Sequence, residues 1–182
     1  MLNNGKAKIN TTAGNYTVII PSKKSWFFLI FGVIWMVGWY MGFSTAIGFT
    51  GTSDSGIDIF VTVWLIMWCF GGLFVICMLL WGFFGKESIE FISNKVKLNK
   101  TVFGVGIKKP LTRHEVKNFR FEHINESLIG GSKWAIWGVG PGKIKFDYGF
   151  KTYSFGLALD DAEANYLSVE LNKRCGNTSY SS

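Results

Sequence analysis

The sequence predicts an α+β protein, in which a transmembrane helical hairpin is joined to a small antiparallel β-barrel or sheet that is capped by a C-terminal helix. Two long spans without a charged residue, Ser25–Phe49 and Ile59–Gly85, predict the hairpin. Short stretches of alternating apolar and polar residues after Lys86 predict the antiparallel strands. Asp160 and Glu163, three residues apart, form the pattern of a capping box at the start of the last helix.

The same patterns divide the 182-residue chain into four segments. We expect residues 1–24 to be an N-terminal cytoplasmic segment and residues 25–85 to be the hairpin. Residues 86–175 are long enough for one small cytoplasmic domain, and residues 176–182 are expected to be a disordered tail. The Tyr16–Ile20 stretch is β-prone. It is either a strand of the downstream sheet or a membrane-entry segment, and we favour the strand.

Each of the two spans is longer than the roughly 20 residues that an apolar helix needs to cross about 30 Å of hydrocarbon. The first span also exceeds the apolar core of a secretory signal, which has about 7–15 residues. Lysines precede the first span and follow the second. The only charged residues of the loop between the spans are Asp54 and Asp58. By the positive-inside rule, both termini are expected in the cytoplasm. Neither span has an Asp, Glu, Lys, Arg or His side chain, which argues against a transporter or pump.

Small residues in the first span predict close helix packing. Gly38 and Gly42 form a small-x-x-x-small step, and such a step lets two helix backbones approach each other closely. The step serves either self-association of two copies or a contact within the hairpin. We favour the contact within the hairpin.

The region after the second span predicts a meander of short antiparallel strands. Turn residues separate the β-prone stretches, and the pattern is not that of βαβ units. The predicted strands are Ser88–Ile92, Lys95–Phe103, Ile107–Leu111, Val116–His123, Trp134–Val139, Lys143–Tyr148 and Lys151–Phe155. In one of them, Ile144, Phe146 and Tyr148 are expected to face the core.

The last helix is expected to run to about Arg174 and to stop at Gly176. It has apolar residues on two sides. One side carries Ala162, Tyr166 and Val169, and the other carries Ala164, Leu167 and Leu171. One side is expected to cap the sheet, and the other to face either a partner protein or a broad groove of the domain. Leu167 and Leu171 are the candidate partner-facing residues.

Basic residues exceed acidic ones and give the chain a net charge of +7. A basic domain beside a membrane meets anionic lipid head groups, where each basic residue contributes about 1 kcal/mol. No long Lys/Arg run or RNA-type aromatic motif indicates nucleic acid. The basic residues therefore form either a solvated face, which we favour, or a surface that contacts lipid. The candidate lipid-facing residues are Lys23, Lys24, Lys86, Lys95 and Lys97.

The sequence carries no strong pattern of a catalytic, cofactor or metal site. The glycines at 138, 140 and 142 before Lys143 do not have the spacing of a phosphate-binding loop, and we expect a hairpin turn there. The two His have no H-x-x-x-H spacing and the three Cys have no C-x-x-C spacing. No nucleophile elbow is present. We therefore predict a non-enzymatic protein with no catalytic residues, no cofactor and no metal.

Three junctions of the chain share a pattern with a known family. Tyr153-Ser154-Phe155-Gly156-Leu157 leads from a strand to an acidic helix start, Ile19–Trp26 leads into the first span, and Phe84–Glu87 leads out of the second. These junctions resemble those of bacterial pleckstrin-homology-like (PH-like) proteins that are anchored by a two-helix transmembrane hairpin. The resemblance covers nearly the whole chain. It implies a strongly bent antiparallel sheet closed at one end by the C-terminal helix, and it implies no catalytic residues.

The resemblance and the composition together predict a non-enzymatic interaction module at the bacterial cytoplasmic (inner) membrane. The domain is expected to bind a partner protein, or a second copy of the chain, as small β domains commonly do. The hairpin is expected to contact membrane lipids. The alternative is a non-catalytic sensor of anionic lipid or of a small ligand at the membrane surface. The turn at Ser93-Asn94-Lys95 lacks a basic cluster, so phosphoinositide recognition is not expected.

Overall fold

The computed structural model describes residues 5–12, 14–48, 50–51, 55–124 and 140–176. The chain forms two compact units. Residues 25–83 form the helical unit, and residues 1–24 together with residues 84–182 form the sheet unit. The described elements are three α-helices and two antiparallel sheets, which confirms the predicted α+β class.

The helical unit contains α1 (Trp26–Ile47) and nearly all of α2 (Ser55–Phe84). Both helices are long and apolar enough to cross a membrane, judged by length and composition, with mean hydropathies of 1.7 and 2.5 over their most apolar windows. Only 11% and 6% of those windows are buried. A core helix of a soluble domain buries its apolar face, so these two helices differ from such a helix in leaving most of their apolar surface exposed.

Glycines in the helical unit lie against large side chains of the facing helix. A Cβ atom at Gly42 would lie 3.1 Å from the Trp68 ring, and one at Gly72 would overlap the Trp39 ring. Gly38 is exposed, and a Cβ atom there would meet no atom of the described residues within 4 Å. Of the two predicted packing glycines, only Gly42 therefore contacts the opposite helix.

Five antiparallel strands form sheet 1, in the order β1-β2-β3-β4-β5. The strands are β1 Lys8–Thr12, β2 Asn15–Pro21, β3 Gly85–Ile92, β4 Lys95–Val102 and β5 Val105–Thr112. The Tyr16–Ile20 stretch lies in β2, which pairs with β3 across the intervening helices. This stretch is therefore a strand of the sheet. Strand β3 begins at Gly85, directly after the last residue of α2 and three residues before the predicted start.

Sheet 2 consists of three described strands in the order β6-β7-β8. The strands are β6 Val116–Phe121, β7 Ile144–Tyr148 and β8 Lys151–Phe155. A 3₁₀ turn at Arg113–Glu115 connects β5 to β6. Ile144 and Phe146 are buried and Tyr148 packs against the core, as predicted. The predicted strand Trp134–Val139 lies outside the described residues.

Strand β6 contains a β-bulge between Lys117 and Arg120. Asn118 has a φ of 55° within it. The bulge adds a residue between two core positions, so Val116 and Phe119 are both buried. The predicted alternation along Val116–His123 is correct for Phe119, which is buried, but His123 at its end is exposed.

The third helix, α3, spans Asp161–Cys175 and packs on both sheets. It ends at Gly176, which has the left-handed φ of 76° that a helix C-terminus favours. The predicted stop is therefore confirmed. Among the described residues, the strands form two open sheets and no closed barrel. The 3₁₀ turn separates β5 from β6, which belong to different sheets, so of the two predicted alternatives the described strands form the sheet and not the barrel.

The predicted partner-facing role of Leu167 and Leu171 is wrong. Their exposed fractions are 1% and 0%, and both belong to the hydrophobic core between α3 and the sheets. They share this inner face with Ala164, because residues three and four apart lie on one side of a helix. Tyr166 and Val169 lie on the outer side and are exposed.

Candidate interaction groove

A groove lies between the N-terminal strand and the first turns of α3. It has a volume of about 430 Å³. Ala7 and Ile9 form one wall, Ala162 and Tyr166 form the other, and the buried side chain of Leu167 lies at its base. Apolar side chains thus dominate a surface that is open to solvent, and an exposed apolar concavity of this kind is typical of a binding site.

Glu163 joins the two walls of the groove. Its carboxylate accepts hydrogen bonds from the backbone N–H of Ala7, at 2.8 Å, and from that of Lys6, at 3.3 Å. The Lys6 ammonium forms an ion pair with Asp160 at 3.0 Å. A Cβ atom at Gly5 would overlap the Glu163 carboxylate, so a larger residue there would displace this carboxylate.

These contacts replace the predicted capping box. Asp160 is the N-cap residue of α3, as predicted, but its side chain makes no capping hydrogen bond. Glu163 binds the backbone of the N-terminal segment. A carboxylate in the first turn of a helix is also favoured by the helix dipole. The N-cap position was therefore predicted correctly, whereas the capping box was not formed, and the partner of Glu163 was missed because it lies 156 residues away in the sequence.

The outer rim of the groove is formed by α3. Tyr166 exposes 62% of its surface and Val169 exposes 49%, although both lie on a helix whose other side is fully buried. These residues form one of the two predicted apolar sides, but the exposed role was predicted for the other side. Both sides are apolar, and the periodic pattern does not show which of them the sheets cover.

The groove lies beside an edge of sheet 1. Strand β1 is the first in the strand order and, among the described strands, pairs only with β2. An edge strand presents backbone N–H and C=O groups that another extended segment can pair with. The groove therefore combines a strand edge that no other described strand pairs with and exposed apolar side chains on the neighbouring helix.

The five predicted lipid-facing lysines are not brought together. Lys86 pairs in register with Pro21, so it lies at the same end of sheet 1 as Lys23 and Lys24. Lys95 pairs with Thr112 at the opposite end. Because β4 has eight residues, about 23 Å separates its two ends. Lys97 lies between them on the sheet and pairs in register with Glu90.

A second cavity contains two of the predicted lysines. It has a volume of about 520 Å³, and its basic lining consists of Lys6, Lys23, Lys24 and Lys143. Asp160 also lines it and forms the ion pair with Lys6. Lys6 and Lys143 were not predicted as members of this group, because they are far apart along the chain and only the fold brings them together.

Ion pairs surround the start of α3. Lys143 forms an ion pair with Asp161 at 2.8 Å, and Nδ1 of His123 lies 2.9 Å from the other oxygen of this carboxylate. The hydrogen bond from Lys143 holds the pKa of the Asp161 carboxyl below its ordinary value, and His123 acts in the same direction. Within the described part of the chain, no three His, Cys, Asp or Glu residues are placed to hold a metal ion.

The chain was compared with models of known protein families, with curated proteins and with solved structures. None of the three comparisons finds a match.

Proposed function

We propose that this chain is a non-enzymatic, membrane-anchored interaction module with a PH-like domain, and that it binds a partner protein at the cytoplasmic face of the bacterial inner membrane. In this proposal α1 and α2 cross the membrane and both chain termini lie in the cytoplasm, as the lysines flanking the helices suggest. The observation that carries the proposal is the groove between β1 and α3, which the exposed Tyr166 lines, together with Val169, which is exposed on the same side of α3.

The groove favours an extended segment of the partner. A segment that pairs with the edge of β1 would gain backbone hydrogen bonds, and its alternate side chains would contact Tyr166 and the base of the groove. Aromatic side chains such as Tyr166 supply large contact areas at low entropic cost and are frequent at the centre of interfaces. A second copy of the chain could supply the same segment, and the test below distinguishes the two partners.

The PH-like part of the proposal is supported by the order of elements in the sheet unit. Antiparallel strands form two sheets, and the single helix α3 follows the last strand and packs on both. Two of the junctions that carry the resemblance also touch each other. Glu87, three residues after the last residue of α2, accepts a hydrogen bond from the backbone N–H of Gly156 at 2.6 Å.

Photo-crosslinking from the groove tests the proposal. A photoreactive phenylalanine analogue is placed at Tyr166 in the full-length chain, expressed in bacterial cells and irradiated. We expect one specific crosslinked protein, identified by mass spectrometry, and its loss when Val169→Asp is introduced.

Phe150 is the matched control position, because it is a fully exposed aromatic residue outside the groove. A crosslink to a second copy would identify a homo-oligomer. Absence of any crosslink specific to position 166 would contradict the proposal.

A second candidate function is a sensor of anionic lipid or of a small anionic ligand. The cavity lined by Lys6, Lys23, Lys24 and Lys143 favours it. The test is lipid analysis of the full-length protein purified in mild detergent. Retention of an anionic lipid that is lost in the Lys23→Gln/Lys24→Gln variant, without a co-purified protein, would favour the sensor. The Lys95→Gln/Lys97→Gln variant is the control, because these lysines lie outside the cavity.

A further inference from the structure

The hairpin formed by β4 and β5 extends beyond the hydrophobic core. All residues from Val105 to Pro110 are exposed, although in an ordinary strand alternate residues are buried. Three of the exposed side chains near the turn are large and apolar. Phe103 exposes 72% of its surface, Val105 79% and Ile107 63%. A surface of this kind is costly in water, and in a soluble protein it marks a contact with another phase or molecule.

This apolar surface lies against the end of α2. The rings of Phe84 and Phe103 are in contact, with their centroids 4.6 Å apart. Phe84 is the last residue of α2, and Gly85 after it pairs in register with Val102. The turn of the hairpin is therefore adjacent to the point at which the chain leaves the apolar helix. We call Phe84, Phe103, Val105 and Ile107 together the apolar tip.

Basic residues flank the apolar tip. Lys86 is exposed next to Phe84, and Lys108 and Lys109 are exposed next to Ile107. Apolar side chains followed within one or two residues by lysines are the arrangement of segments that enter the boundary between acyl chains and head groups. The lysine ammonium groups then lie among the anionic head groups, while the apolar parts lie deeper.

We propose that the apolar tip inserts into the interfacial layer of the same bilayer that α2 crosses. The inference rests on the membrane anchoring in the proposed function, but it does not depend on any partner protein. The tip would then hold the sheet unit to the bilayer next to the point at which α2 ends.

Site-specific fluorescence in nanodiscs tests the insertion. The full-length chain without its three native Cys receives one new Cys, at Phe103 or at Val105, which is labelled with an environment-sensitive fluorophore. The nanodiscs contain phosphatidylethanolamine and phosphatidylglycerol, with or without lipids that carry a nitroxide quencher near the head group. We expect a blue-shifted emission at both positions and loss of most of the intensity when the quencher lipid is present.

Two control positions make the outcomes distinct. A variant that keeps only the native Cys69, which is exposed near the middle of α2, is measured with lipids that carry the nitroxide within the acyl chains and reports whether this helix is in the bilayer. A Cys at Phe150 reports on an exposed turn at the other end of the sheet unit, because the adjacent Gly149 lines a cavity with His114 and Glu115 beyond the far end of β5.

Quenching at positions 69, 103 and 105 without quenching at 150 supports the proposal. Quenching at 69 alone overturns the tip insertion and leaves the membrane anchoring intact. The apolar tip would then be covered by protein, such as a second copy of the chain. Absence of quenching at 69 overturns the anchoring and the insertion together. Equal quenching at 103 and 150 overturns the insertion, because the whole domain would then lie on the bilayer.

Discussion

Glu87 and Gly156 connect the beginning of β3 to the junction between β8 and α3. The buried Glu87 carboxylate accepts the backbone N–H of Gly156 at 2.6 Å, and its other oxygen forms an ion pair with Lys100 at 2.7 Å. Gly156 has a φ of 80°, which an L-residue rarely adopts, and a Cβ atom there would meet Leu159 at 2.7 Å. The glycine permits the turn, and the carboxylate satisfies the N–H that the turn leaves without a strand partner.

Replacing Glu87 by Ala is expected to lower the free energy of unfolding by about 2–4 kcal/mol, because it leaves a buried N–H and a largely shielded ammonium without their acceptor. Glu87→Gln retains one carbonyl oxygen as an acceptor and should lower the free energy of unfolding by less than Glu87→Ala does. Denaturant unfolding of the full-length protein in detergent measures both. Glu122 is the control, because it forms an ion pair with Lys145 but is half exposed. Glu122→Ala should change the free energy by less than about 1 kcal/mol. Equal effects of the two Ala variants would contradict the role of Glu87.

The two apolar sides of α3 should respond differently to truncation. Leu171→Ala removes a fully buried side chain and is expected to lower the free energy of unfolding by about 2–5 kcal/mol. Val169→Ala removes a half-exposed side chain and should change it by less than about 0.5 kcal/mol. Thermal unfolding followed by circular dichroism checks both variants. If Val169→Ala destabilised as much as Leu171→Ala, the outer face of α3 would be part of a folded contact.

Asn172 holds α3 to the bulge in β6. Its side-chain oxygen accepts the backbone N–H of Phe119 at 2.9 Å, and its side-chain NH₂ donates to the carbonyl of Phe119 at 2.6 Å. Asn172→Ala is expected to lower the free energy of unfolding by about 1–3 kcal/mol, because the bulge leaves these two backbone groups without strand partners. Asn172→Asp keeps the acceptor for the Phe119 N–H but places a carboxylate oxygen against the Phe119 carbonyl, so it should also lower the free energy of unfolding while the N–H stays bonded. Hydrogen exchange at the Phe119 amide should be faster in the Ala variant than in the Asp variant. Unchanged exchange in both would show that another group protects the bulge.

Local patterns in the sequence predicted the elements that depend on nearby residues. The uncharged spans, the alternation in β7 and the helix stop at Gly176 each follow from a few adjacent positions. The candidate site depends on contacts across the chain. The pairing of Glu163 with Ala7 and the burial of Leu171 could not be predicted, because a periodic pattern identifies the two faces of α3 without determining which face the sheets cover.

Burial gives Cys175 an unusual titration. It raises the pKa of the Cys175 thiol to about 11, and the neighbouring Arg113 guanidinium offsets this only in part. In the unfolded chain a thiol has a pKa of about 8.5. Between these two values the folded protein keeps the proton that the unfolded chain has lost, so stability is highest below pH about 8.5 and falls as the pH rises toward 11.

Alkylation of Cys175 should therefore be slow in the native protein. The measurement uses a variant in which Cys69 and Cys77 are replaced by Ser, so that Cys175 is its one thiol. At pH 8 only about one folded molecule in a thousand carries the reactive thiolate, against about one in four unfolded chains. We expect the native rate to rise about tenfold per pH unit up to pH about 10. A Cys at Val169, in a Cys175→Ala background, is the control for an exposed thiol on the same helix, and its rate should level off near pH about 9. If the alkylation rate of Cys175 levelled off at the same pH as that of this control, burial would not be the cause of the slow reaction of Cys175.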